Sequence, residues 1–243
     1  MKHQSAFIIL ICTVLAGCES FPQPTPGLAS IRIHVMAEPK TGSVLPDGSS
    51  VYDSPGRREA DTGNFQRVDY PYLDEIVVWI EPVIPSPQMK IAAARIDVAV
   101  KKPAVAIARA VSVHQPLTLH NTGTEPAVFY SVSDGNEFDL GSIPAGGQKN
   151  YTVRSAGLIE ILTDTAIDPV AEVYAAPSSP VSLGHSGGEV DFLNVPPGRY
   201  KIASWHPRLP GSETVVTLSP NQIAVASIKV GVNGLPKIGP QRK

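Results

Sequence analysis

The sequence predicts an all-β protein, and three observations carry the prediction. Its 24 prolines and 20 glycines are spread through 243 residues, which interrupts a helix before it completes many turns. Between them lie short runs in which apolar and polar residues alternate, the period of a strand with one buried face. Beyond Cys18 there is no cysteine, so stability must come from packed layers and not from disulfides. A net charge of −2 offers neither a basic surface for nucleic acid nor an acidic tail.

The N-terminus reads as an export signal. Lys2 and His3 precede an uncharged apolar run, Ala6 to Leu15. That run is shorter than the roughly 20 residues that span a bilayer and suits the core of a signal peptide. It ends in Leu15-Ala16-Gly17-Cys18, small residues before a thiol, which is the pattern of lipoprotein cleavage and lipidation. Residues 1–17 are therefore expected to be removed and Cys18 to carry the acyl chains (palmitate among them) that hold the body to a membrane. Glu19, not Asp, follows Cys18. This departs from the inner-membrane retention signal and points to the outer membrane of a Gram-negative envelope, with the body facing the periplasm. Residues 18–28 form a Pro-rich tether, expected to act as a semi-rigid spacer.

The body follows in short elements. Ser30 to Met36 alternates as a strand. Residues 38–72 have no period and read as a long loop, expected to be the partner-facing element. Glu75 to Glu81 is a strong strand, and Ala92 to Val100 reads as a strand or short helix. Ala104 to Val113, Gln115 to His120 and Ala127 to Ser133 are strands, the last two separated by the turn Asn121 to Glu125. After the Asp134-Gly135-Asn136 turn, Lys149 to Arg154 and Leu158 to Leu162 continue the pattern. Val190 to Leu193, Tyr200 to Trp205, Glu213 to Leu218 and Ile223 to Val230 close it, with a tight turn at Asn194 to Gly198.

Several of these segments together resemble a family. Glu75 to Glu81, Leu117 to Asn121, Phe138-Asp139-Leu140-Gly141 with Pro144 to Gly147, Tyr151 to Val153, Gly157 to Ile161, and Phe192 to Tyr200 followed by Ser204-Trp205-His206 occur in order. They are similar to periplasmic cupredoxin-like proteins with a carboxypeptidase-regulatory-like C-terminal part, the methylamine-utilisation or plastocyanin-like group. The resemblance covers about two thirds of the chain. It implies a cupredoxin-like Greek-key β-sandwich over residues 29–176, a small carboxypeptidase-regulatory or transthyretin-like β-sandwich over 177–232, and a tail at 233–243. It does not carry the family's blue copper. That site needs two imidazoles and a thiolate. The first histidine's place holds Val128-Phe129-Tyr130, and the loop Thr163 to Val170 has no Cys, His or Met.

Other chemistry is present only as fragments. His114, His120 and His206 are the candidates for a rebuilt copper or zinc site, set against plain structural roles in turns and packing. Gly184-His185-Ser186-Gly187-Gly188 fits G-x-S-x-G, with Asp191 and His206 following. That motif needs a strand before the serine and a helix after it, whereas prolines precede it here and a strand follows, so a hairpin turn is the reading adopted. Asp164, Asp168 and Glu172 lack the glycine and bidentate acid of a calcium loop and read as solvated acids. Trp79 reads as core; Tyr70 and Tyr72 could line a groove. The expectation is a lipid-tethered periplasmic module without enzymatic activity or cofactor, which binds an envelope protein or stabilises an envelope assembly. The alternative is copper or zinc handling through histidines.

Overall fold

The described residues form two β-sandwiches, one inserted into the other. The computed structural model describes residues 21–41, 68–84, 93–98 and 107–234. The signal segment, Cys18, most of the 38–72 loop and most of the tail lie outside the described residues.

The outer sandwich uses both ends of the chain. β1 (Ala29–Glu38) lies between β12 (Glu189–Val195) and β15 (Ile223–Gly231), antiparallel to the first and parallel to the second. The facing sheet has the order β11 (Val181–Gly184), β2 (Ile76–Pro82), β13 (Gly198–Trp205) and β14 (Glu213–Leu218), all antiparallel. Alternation decides which side chains enter the core. Along β1, Ile31, Ile33 and Val35 are buried, and they pack with Ile76, Val78 and Ile80 of β2 and Ile202 of β13.

The inserted sandwich is built entirely between β2 and β11. One sheet is β3 (Ala94–Val98), β5 (Pro116–Asn121) and β8 (Gln148–Thr152). The other has the order β4 (Ile107–Ser112), β10 (Ala171–Ala176), β9 (Gly157–Thr163), β6 (Ala127–Ser131) and β7 (Phe138–Ile143). The pairs β3–β5 and β4–β10 are parallel. Leu117, Leu119, Phe129, Ile159 and Ile161 are fully buried in its core. Two buried asparagines fix its turns. Asn136 accepts N–H bonds from Arg154 (2.9 Å) and Ser155 (3.3 Å) and the Tyr151 hydroxyl (3.1 Å) on one oxygen. Asn121 donates to the carbonyls of Glu125 and Ile143, both at 2.9 Å.

The all-β class matches the expectation, but the division after residue 176 does not describe the strand pairing. β1 and β2 lie in the same sheets as β11–β15, so Ala29–Glu38 and Ile76–Pro82 share one body with the strands from β11 to β15, and the second body is made of the strands from β3 to β10. Ala92 to Val100 contains a strand, not a helix. β7, β10 and β11 are strands additional to those read from the sequence.

Part of the Pro-rich segment expected to act as a semi-rigid spacer is hydrogen-bonded to the body. Residues 25–28 lie on one end of the outer sandwich, and Phe21 lies farther along β1. The Thr25 N–H donates to the Asn194 side chain at 2.8 Å and the Gly27 N–H to the Asn221 side chain at 2.7 Å. The Asn221 N–H donates to the Leu28 carbonyl, and the Arg32 guanidinium stacks 4.7 Å from the Phe21 ring centre. Both asparagines have positive φ, 56° and 60°, a conformation asparagine tolerates better than most residues.

Candidate functional site

The sandwiches meet through outer sheet faces that are themselves apolar. Val77, Trp79 and Ala203 of one body pack against Ile107, Tyr174 and Ala176 of the other. Tyr174 stacks on Trp205 with ring centres 4.0 Å apart and lies 6.2 Å from Trp79. The Trp79 indole N–H is buried with no hydrogen-bond partner among the described residues. One polar strap crosses the junction: the Glu75 carboxylate accepts the Ile107 N–H. Burial pushes the Glu75 carboxyl above its ordinary range; Glu172 is raised by burial and by the neighbouring Glu160 and Glu75.

Beside this junction runs an open groove of about 890 Å³. Its walls are the edge strands β11 and β12 of the outer sandwich and the edge strand β4 with the β4–β5 turn of the inserted one. Arg109, Gln115 and Ser182 supply polar groups, while Leu28, Leu193 and Pro196 supply apolar surface. Arg109 is exposed and has no ion-pair or hydrogen-bond partner among the described residues. The acid in the groove wall, Asp191, is already matched: Arg32 donates to it twice, at 3.0 and 2.9 Å. The groove therefore presents an unmatched cation next to an apolar strip. That combination suits a ligand with an acidic group and an apolar neighbour.

The sequence candidates fall elsewhere. His114 sits in the β4–β5 turn with φ 66°, its N–H donating to the Val153 carbonyl. His120 lies on β5, its Nδ1 2.8 Å from Asp97 Oδ1 and 2.6 Å from an Arg95 nitrogen. Hydrogen bonds from His120 and then Arg95 hold the Asp97 carboxyl below its ordinary range. His206 is buried at the end of β13, where its Nδ1 accepts the Arg208 N–H at 3.1 Å. Among the described residues no three His, Cys, Asp or Glu side chains gather as metal ligands. At the positions where the resemblance would put copper ligands, Phe129 is core and the 164–169 loop carries the fully exposed Ile167.

Ser186, Asp191 and His206 do not form a triad. The Ser186 hydroxyl oxygen accepts the Ala37 N–H at 3.0 Å, while Asp191 is held by Arg32. Ala37 and Arg32 are five residues apart on β1, about 17 Å at strand rise. Asp164 and Asp168 are exposed in the β9–β10 loop, whereas Glu172 is on β10 opposite Glu160. Tyr72 is 80% exposed and Tyr70 packs on the outer core. Trp79 is buried as expected, though at the junction and not in either sandwich core.

Sequence reading alone missed Arg109, because an arginine in an alternating segment looks like any solvated strand residue. Its importance comes from the edge position of β4 beside the returning strands. The fold and groove define a class: a protein of two β-sandwiches, one inserted in a loop of the other, with a cleft where their edges meet. No family model and no curated protein matches the chain.

Proposed function

We propose that this is an exported lipoprotein, lipidated on Cys18 and held in the outer membrane, whose two sandwiches form a non-catalytic binding module of an envelope protein assembly. The observation that carries the binding reading is the groove with its unmatched Arg109 beside Leu193 and Pro196. A guanidinium offers a fork of donors to a carboxylate. Sheet edges on both walls provide backbone groups for an extended segment. The occupant is a segment of a partner protein that carries an acidic side chain next to an apolar one. The two-sheet order of β3–β10, with parallel pairs β3–β5 and β4–β10, supports a cupredoxin-like relationship for the inserted body.

A photo-reactive residue at Ser182, introduced into the full chain in cells, tests this. It should form a discrete crosslinked band that is lost with Arg109→Glu and retained with Arg109→Lys. A band unaffected by Arg109→Glu would remove the groove from the account.

A further inference from the structure

The docked N-terminal segment fixes more than a tether. Phe21 is the first described residue, and its ring lies under Arg32 on the outer sandwich. Between it and Cys18 there are three residue steps, which reach no further than about 11 Å. Lipid on Cys18 would therefore hold Phe21, and with it the end of the sandwich to which Thr25 and Gly27 are pinned, near the membrane surface.

That end has a composition of its own. It comprises residues 25–28, the end of β2 with 82–84, the β12–β13 turn at 193–199 and the β14–β15 turn at 218–222. Their adjacency follows from pairing: Ala29 opposes Val195, Gly198 opposes Leu218, Ser30 opposes Ile223, and the Val83 N–H donates to the Arg199 carbonyl. These four segments contain no Asp or Glu, and their one charged side chain is Arg199. They expose Ile84 (74%), Val83 (46%) and Leu193 (47%). The opposite end carries Glu38, Lys40, Asp74 and Glu75, while Asp191 and Glu189, the acids beside Phe21, are both paired to Arg32.

We infer that this apolar, acid-free end rests on the lipid bilayer, with Val83, Ile84 and Leu193 at the headgroup level and Arg199 facing anionic headgroups. The inference rests on the Cys18 lipidation proposed above. Exposed apolar side chains held beside a short lipid anchor gain burial at the surface that the anchor already occupies, and an arginine at that depth is attracted by an anionic leaflet. It also sets the groove, whose wall includes Leu28, Leu193 and Pro196, with one mouth close to the membrane and its length running away from it. A partner segment would then enter from near the bilayer.

The test uses the full mature chain, purified with its native N-terminus and reconstituted in vesicles of phosphatidylethanolamine and phosphatidylglycerol. A fluorophore is placed on a single new cysteine, in Ile84→Cys, Ser219→Cys or, for the far end, Asp74→Cys. Vesicles carrying doxyl-labelled lipid should quench the probes at positions 84 and 219 several-fold more than the probe at 74. Leu193→Asp combined with Val83→Asp should reduce quenching at 219 while leaving vesicle flotation intact. Equal quenching at all three positions on protein that floats with the vesicles would overturn the orientation and leave the anchor standing. Protein that lacks lipid by intact mass and does not float would overturn both. Quenching at 84 and 219 that persists unchanged in the double Asp variant would show tether proximity alone and overturn the docking of this end.

Discussion

His206 is 6% exposed, and its Nδ1 is occupied as an acceptor by the Arg208 N–H. Burial, and then the Arg208 charge, pushes its pKa down from 6.5 to about 4. The sign of the consequence follows from which state binds the proton first. Between about 6.5 and about 4 the unfolded chain is protonated while the folded histidine is not. Stability is therefore fully present above about 6.5, falls as pH drops through this window, and has lost this contribution below about 4. Urea midpoints measured from neutral pH to pH 4 should fall, and His206→Gln should flatten the fall by up to about 1.4 kcal/mol per pH unit; an unchanged slope would assign the acid sensitivity to other groups. Gly211 makes a second prediction at this scale. A Cβ there would lie 1.8 Å from the Ser204 carbonyl oxygen, whose strand cannot retreat without breaking pairing with β2. Gly211→Ala should cost about 1–3 kcal/mol and lower the melting temperature by several degrees. An unshifted melt would mean the loop relaxes freely.

Strands that bury one face are the ones that were legible. β1 reads directly as Ile31, Ile33 and Val35 facing in with polar residues between. β10 was missed for the opposite reason. Its AEVYAA is buried on both faces, by the inserted core on one side and the junction on the other, so no alternation survives. β7 was hidden by a half-exposed pattern, a positive-φ Gly141 and an irregular register against β6. β11 is only four residues long. The insertion itself had no local signal. Sequence neighbours tend to pair in space, and the parallel pairing of β1 with β15 joins segments almost the whole chain apart. The tether is also an element whose behaviour depends on distant residues: its prolines suggest a spacer, but Asn194 and Asn221 pin it. Asn194→Gly with Asn221→Gly, which removes the side-chain acceptors but keeps the positive φ, should speed amide exchange at Thr25 and Gly27 at least tenfold while the global melt moves little. Exchange at the wild-type rate would mean that Phe21 and Leu28 hold the segment without them.

At the scale of the whole molecule, the junction determines whether the groove keeps its shape. Tyr174 touches both Trp79 and Trp205 across it. Tyr174→Ala should cost about 3–5 kcal/mol and separate the unfolding of the two bodies into distinct transitions. A single transition with an unchanged midpoint would mean the aromatic stack does not couple them. Trp79→Phe keeps most of the apolar contact and removes a buried N–H that has no partner, so it should be far milder than Tyr174→Ala. The candidate site was less legible than the fold. Its histidines and serine stand out by residue type, yet His114 and His120 belong to the inserted body while Ser186 and His206 belong to the outer one. Arg109 has no motif, and only the return of β11 and β12 alongside β4 makes it a groove residue.

The central claim, a binding module tethered by its own first mature residue, is tested most directly by intact and peptide mass analysis of the protein extracted from membranes of cells that express the full chain. The account predicts an N-terminus at Cys18 carrying a thioether-linked diacylglyceryl group and an amide-linked acyl chain, with both lost in Cys18→Ala. A mature protein that begins elsewhere, or carries an unmodified Cys18, would contradict it.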